Sequence, residues 1–154
     1  MKAVVQRVLD ASVTVEGNVR GFIPFGLLVY LGVAHNDSES DADWLAEKIA
    51  FLRIFNDAEN KMNLSLKDLS QSGAQKAGVL AVSQFTLLAD ARKGRRPSWN
   101  AAAPAQKAKQ LYEYFIKAVE KHSLVCERGE FQANMKVSST NDGPVTIILD
   151  SHQD

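Results

Sequence analysis

The sequence predicts a single α+β domain over residues 1–154, in which a curved, barrel-like sheet, mixed or antiparallel, carries two main helices on one side. Three observations lead there. Short β-branched or apolar runs fill the first third and return at 79–87 and 145–149, whereas 38–52 and 103–121 carry charged residues around an apolar face. A length of 154 residues, 45% hydrophobic and 23% charged, suits one core and excludes a disordered, collagenous or coiled-coil chain. No internal repeat or linker interrupts the order βββ-α-irregular-β-α-βββ.

Each element follows from its residues. Segments 4–8 and 12–15 are rich in valine and threonine, and 12–15 alternates polar with apolar, as a half-buried strand does. Glu16-Gly17-Asn18 signals a turn, so 13–15 and 20–23 are expected to pair as a hairpin. The run 26–33 is continuously apolar, like a strand covered on both faces. A helix starts near Ser38 or Ser40, with Glu39, Asp41 and Asp43 favouring its positive end. Its inner face is expected to hold Trp44, Leu45, the stem of Lys48, Ile49 and Leu52. Segment 56–78 is polar and irregular, too long for a plain loop, and reads as a flap or short strand anchored by Met62, Leu64, Leu66 and Leu69.

Residues 79–87 read as a strand. The second helix begins around Ala103-Pro104, since proline is tolerated in a first turn. Ala108, Leu111, Tyr112, Phe115 and Val119 recur at three- and four-residue spacing and give it one apolar face. Strands at 124–127 with 135–138, then 145–149, close the chain.

Composition also restricts function. Eighteen Lys+Arg balance 18 Asp+Glu, so bulk charge does not coat a nucleic acid, and any such contact must come from a local patch. The single Cys126 excludes a disulfide framework and any multi-cysteine zinc site. The opening residues run straight into a strand-like pattern, so no signal peptide is expected, and the apolar stretch 21–34 is too short to span a bilayer. A soluble, cytoplasmic protein is expected.

Conventional catalytic sets are missing. His35, His122 and His152 are scattered, no metal-ligand spacing occurs, and there is no Walker loop, dinucleotide fingerprint or nucleophile elbow. Cys126, inside an apolar strand, reads as a core residue rather than a nucleophile. No metal and no cofactor are expected. Three segments stand out instead. Ser83-Gln84-Phe85-Thr86 places three hydrogen-bonding side chains at a strand end, where a rigid scaffold presents functional groups. Asn141-Asp142-Gly143-Pro144-Val145-Thr146 reads as a turn, or as a Gly-Pro bond in its cis form. Arg92, Lys93, Arg95 and Arg96 form the densest positive charge, suited to phosphate.

Together these segments resemble the D-aminoacyl-tRNA deacylases, or D-tyrosyl-tRNA deacylases, of bacteria and eukaryotes. The resemblance runs nearly the whole chain: the opening octet, Arg53 to Asp57 with Lys61 to Leu64, Ser83-Gln84-Phe85-Thr86-Leu87, Arg96-Pro97-Ser98, Leu111-Tyr112 with Phe115, Phe131 with Met135, and Asn141 to Thr146. It implies a homodimer with its active site at the subunit interface. In it, Gly143 and Pro144, joined by a cis bond, enter the partner's pocket and clamp the substrate amino group so that an L side chain collides. Glycyl-tRNA, with no side chain to reject, should enter as well. Arg7 is implied to brace that loop, and Phe131 and Met135 to hold the terminal adenine of the tRNA 3′ end.

The implied chemistry needs no histidine, because an aminoacyl ester is already activated and requires positioning and oxyanion stabilisation. Backbone N–H groups around Phe85 and Thr86 would serve the oxyanion, with Ser83 and Gln84 orienting ribose and ester. Thr86 reads as a positioning residue rather than a nucleophile, since no base stands beside it in the sequence, and the ribose hydroxyl is the expected proton acceptor. Arg92, Lys93, Arg95 and Arg96 are expected to meet the tRNA backbone, with no DNA or membrane partner. Gln132, Asn134, Trp99 and Arg95 depart from the family's usual pattern. Three other readings are an RNA-binding module without hydrolysis, a hydrolase of free D-amino-acid esters, and a purely structural dimer.

Overall fold

The computed structural model describes residues 1–73 and 76–153. Its organising element is a single long strand, β1 (Lys2–Val15), where two separate strands were expected. β2 (Asn18–Ile23) returns along the second half of β1, with Ala11 opposite Ile23 and Val13 opposite Gly21. The hairpin forms where expected, because Glu16 and Gly17 both take positive φ, the twist that a tight two-residue turn requires.

β3 (Gly26–Gly32) pairs antiparallel with the first half of β1, and β6 (Gly78–Ser83) then runs parallel to β3. β7 (Val125–Arg128) continues the sheet parallel to β6. β8 (Lys136–Asp150) follows the other edge of β1 over nearly its full length. The sheet is therefore mixed, and it curls. β2 approaches β7 so closely that a Cβ on Gly21 would stand 2.6 Å from the Arg128 carbonyl oxygen, which requires glycine there. The result is a nearly closed barrel.

Burial divides by face, as strand alternation dictates. Leu27, Val29, Leu31, Val79 and Ala81 join one core with the helices, while Leu28, Leu80, Val82, Val8 and Val13 fill the concave side. The continuously apolar run 26–33 is thus covered on both faces, as expected. α1 (Glu39–Phe51) and α3 (Ala105–Lys121) lie together on the first side, with Phe115 fully buried between helix and sheet. The inner face predicted for α3 is the observed one. For α1 the prediction needs rotation: Ala42, Leu45, Ala46, Ile49 and Ala50 are buried, whereas Lys48 is exposed and covers the Trp44 ring from outside. Small alanines let α1 pack closely against α3, and the tryptophan is left at the edge.

Three further corrections concern chain path. The irregular 56–78 segment contains a small antiparallel pair, β4 (Phe55–Asn56) with β5 (Met62–Leu64), and an unanticipated helix, α2 (Leu66–Ser72). Its signal was present, since the Asp68 carboxylate accepts from the Ser65 N–H at 2.9 Å while the Ser65 hydroxyl accepts from the Asp68 N–H at 3.1 Å. The strand expected over 79–87 stops at Ser83, and 85–88 folds into a 3-10 turn. This turn lies on Gly32, where a Cβ would collide with Leu88 Cδ2, so any larger residue would push the turn away. Finally, 135–138 does not pair with 124–127; Lys136 stands opposite Thr14 on β1. Among the described residues no helix is long and apolar enough to cross a membrane.

The chain ends meet in a polar knot. The Met1 ammonium is buried against Asp37 at 2.7 Å, and it also donates to Ser151. Burial pushes the Asp41 carboxyl up, but hydrogen bonds from Ser151 and Ser38, with the nearby ammonium, outweigh it and hold the group at about 2. A carboxyl depressed by folding stabilises the fold above its unfolded value near 4 and loses that contribution as pH falls towards 2. Between pH 4 and pH 2 the urea midpoint of Asp41→Asn should therefore fall less than that of the parent chain.

Candidate active site

At the end of β6 the backbone leaves the sheet and presents Ser83, Gln84 and Phe85 to a cavity of about 440 Å³. The Gln84 N–H donates to the Leu31 carbonyl at 2.8 Å, which fixes where the strand ends. Facing these residues across the cavity are Phe131 and Met135, on the loop that returns from β7 to β8. The structure thus brings together residues that lie about fifty positions apart in the sequence.

Tyr112 of α3 forms a further wall. Its hydroxyl donates to the Ala81 carbonyl at 2.8 Å, and the same oxygen accepts the Gly129 N–H at 2.9 Å. Its ring centroid lies 5.9 Å from that of Phe131. One carbonyl, two residues before Ser83, therefore ties helix, loop and strand end together. Sequence reasoning placed Tyr112 on the apolar helix face and missed this role, because nothing local says that the face continues into a cavity wall. A Cβ on Gly129 would stand 2.6 Å from the Met135 sulfur, which must then move. Gly129→Ala is expected to cost about 1–3 kcal/mol, measured from urea unfolding.

The lining has a marked chemical character. Among the described residues it contains no Asp, Glu, His, Lys, Arg or Cys, and its one titratable side chain is Tyr112, whose hydroxyl burial pushes well above the ordinary phenol value. Thr86 does not line the cavity. It is exposed beside it, and its hydroxyl accepts a hydrogen bond from the Gln84 side-chain amide. The Phe85 and Thr86 N–H groups open the 3-10 turn, where no earlier carbonyl of that turn can accept them.

None of the other candidate nucleophiles or bases reaches this place. His35 lies 3.0 Å from the Asn100 carbonyl oxygen, His122 ends α3 edge-on to Phe51, and His152 sits 2.8 Å from Asp37. Asp37, Asp41 and His152 cluster closely enough to suggest metal ligands, but Met1 and Ser151 already engage the two carboxylates. Burial pushes the half-buried Cys126 thiol up to about 12, which keeps it protonated and inert as a nucleophile.

Gly143, Pro144 and Arg7 form a separate construction. The Gly143-Pro144 bond is cis, it lies within β8, and both residues are exposed. Arg7 is buried beneath them. Its Nη1 donates to the Ile54 carbonyl at 2.6 Å and to Asn56 Oδ1 at 3.4 Å, and its Nε lies 2.8 Å from Asp142 Oδ2. The Asn141 amide closes the loop by donating to the Arg7 and Val145 carbonyls at 2.9 and 3.1 Å. None of these groups lines the cavity of its own chain.

The basic run is an exposed lobe closed by reciprocal backbone hydrogen bonds between Asp90 and Ser98, at 2.8 and 2.9 Å. Arg92 is occupied within it, forking onto the Asp90 carboxylate at 2.9 and 2.7 Å and holding that carboxyl far below its usual range. Among the described residues, Lys93, Arg95 and Arg96 have no carboxylate in ion-pair range.

The family model described as D-Tyr-tRNA(Tyr) deacylase matches residues 4–150. A D-aminoacyl-tRNA deacylase of Koribacter versatilis is 57% identical over 154 residues, covering 100% of this chain and 99% of that protein. One of Thermosipho melanesiensis is 55% identical over 152 residues, covering 98% and 97%. Among solved structures, one described as the c-Myc DNA Unwinding Element Binding Protein superposes with a TM-score of 0.87 at 38% identity, covering 97% of this chain and 98% of its own.

Proposed function

The chain belongs to the D-Tyr-tRNA(Tyr) deacylase family and is a D-aminoacyl-tRNA deacylase, a hydrolase; from that premise we propose how its residues divide the work. The terminal adenosine enters the 440 Å³ cavity, with its adenine between Phe131 and Met135 and its ribose and ester on Ser83 and Gln84. The Phe85 and Thr86 N–H groups meet the developing oxyanion, and Thr86 positions through Gln84. The ribose 2′-hydroxyl takes part in the proton transfer that activates water. The observation that supports this is the lining, which offers no protein group able to act as a base near neutral pH.

Selectivity is assigned to the cis Gly143-Pro144 element of a second copy, so the working form is a homodimer and each domain, 1–154, supplies half of two sites. Support comes from the exposure of that element outside its own cavity. Because discrimination is by rejection of an L side chain, glycyl-tRNA is a second substrate. Lys93, Arg95 and Arg96 meet tRNA phosphates, while Arg92 holds the lobe in shape through Asp90. The substrate places the enzyme in the cytoplasm, and we assign it no cofactor, no metal, no membrane and no DNA partner.

Release of D-tyrosine from D-tyrosyl-tRNA over many turnovers tests the assignment; tight binding with no turnover sinks it in favour of an RNA-binding module. Activity should fall steeply with salt. Each of Lys93→Ala, Arg95→Ala and Arg96→Ala should flatten the log–log slope by about 0.7 for every phosphate that the removed cation had neutralised. A salt-insensitive rate on tRNA would instead point to an esterase of small D-amino-acid esters.

A further inference from the structure

Two large aromatic side chains stand half out of solvent at the rim of the cavity. Phe85 is 57% exposed and Trp99 is 44% exposed, with ring centroids 5.9 Å apart and planes at 64°. Phe85 belongs to the lining, and Trp99 does not; it stands edge-on against the Phe85 ring. The backbone around Trp99 is held on both sides. Ser98, before it, exchanges hydrogen bonds with Asp90, and the Trp99 carbonyl accepts the Ala102 N–H at 2.9 Å. The same Asp90–Ser98 closure bounds the lobe that carries Lys93, Arg95 and Arg96. A fixed, exposed aromatic pair next to unpaired cations at the mouth of a nucleoside-sized cavity has the composition of a single-stranded nucleic-acid track.

We propose that Trp99, with Phe85, forms a stacking platform for the base that precedes the terminal adenosine of the tRNA 3′ end. This rests on placing that adenosine in the cavity. A strand whose last nucleoside is inside must lead outwards past the rim, with its phosphates turned to the cationic lobe and the next base unpaired. Indole offers the widest π-face of any side chain, and stacking on it tolerates any base. The inference is specific to the nucleotide outside the cavity and separates it from the groups that hold the ester.

The test compares two substrates, D-tyrosyl adenosine and D-tyrosyl cytidylyl-(3′–5′)-adenosine, by their KM values. In the parent chain the added cytidine should lower KM by about 5- to 150-fold, the range that one stacked base supplies. Trp99→Ala should abolish that difference, and Trp99→Phe should restore most of it. A dinucleotide with an abasic residue in place of cytidine should lose the gain as well, which separates stacking from phosphate contact. In a Trp44→Phe background, an amide-linked dinucleotide analogue should quench the remaining indole fluorescence, and the adenosine analogue should not. If the cytidine gain survives Trp99→Ala, or if both KM values rise together, the proposal is overturned. It is overturned too if Trp99→Ala changes the oligomeric state, since the pair is then a contact between copies. Failure of the parent chain to cleave either ester, while it cleaves D-tyrosyl-tRNA, overturns the placement of the adenosine in this cavity, and the inference with it.

Discussion

Replacing the terminal adenosine of D-tyrosyl-tRNA by 2′-deoxyadenosine is expected to lower kcat by about 10²–10⁴-fold, the range that a positioned general base supplies. The expectation follows from what the cavity lacks. Apart from Tyr112, whose hydroxyl already donates to the Ala81 carbonyl, no lining side chain among the described residues titrates. Water attacking the ester must still pass a proton on, and the neighbouring ribose hydroxyl is the nearest group that every correct substrate brings. Thr86 is exposed beside the cavity with its hydroxyl receiving the Gln84 amide proton, a geometry for positioning rather than attack. Thr86→Ala should therefore cost only about 2- to 12-fold, the equivalent of one ordinary hydrogen bond. Single-turnover rates with the two tRNAs and the two proteins decide between the mechanisms. An acyl group trapped on Thr86, together with loss of turnover in Thr86→Ala at undiminished binding, would sink the substrate-assisted reading.

Removal of the Arg7 side chain should be the most damaging single change outside the cavity. Its guanidinium is buried and joins three parts of the chain: β1 itself, the Ile54–Asn56 bend and Asp142 beside the Gly-Pro element. Arg7→Ala empties the space of a buried side chain and leaves the Ile54 carbonyl without this donor, while water reaches the Asp142 carboxylate, whose side chain is 35% exposed, so the loss should be about 2–4 kcal/mol. Arg7→Lys keeps the charge but offers a single point donor in place of a fork, so it should restore stability only in part. The functional readout is separate from stability. If Arg7 sets the Gly143-Pro144 element in place, Arg7→Lys should narrow the ratio of D- to L-tyrosyl-tRNA hydrolysis under conditions where the protein is fully folded. An unchanged ratio would reduce Arg7 to a purely structural residue. Urea unfolding and paired deacylation rates measure the two effects independently.

Much of this protein is legible from local pattern. The hairpin turn at Glu16-Gly17, the doubly covered strand 26–33 and the inner face of α3 depend on residues a few positions apart, and each stands as read. The rotation of α1 was not legible, because tryptophan and alanine both suit an apolar face and only the neighbouring α3 selects the smaller. The end of β6 at Ser83 was missed for a similar reason. Residues 84–87 have strand-like composition, and it is Gly32, some fifty positions earlier, that lets the 3-10 turn fold down. Helix α2 was the exception, a local Ser65–Asp68 capping signal that the polar composition around it obscured.

For function the same division holds. Sequence alone singled out Ser83 to Thr86, the Gly143-Pro144 element and the cations 92–96, because unusual residue types in fixed order are local facts. Only the tertiary structure decided which of them share a cavity. It set Phe131 and Met135 opposite Ser83 and Gln84, drew Tyr112 into the wall, left Thr86 outside it, and placed Gly143 and Pro144 outside the lining of their own chain's cavity. It also showed that Arg92 is engaged by Asp90 while its three neighbours are not. The physical reason is range: turns, caps and alternation are fixed by neighbours in sequence, whereas a cavity is made by the approach of segments whose separation along the chain no local pattern encodes.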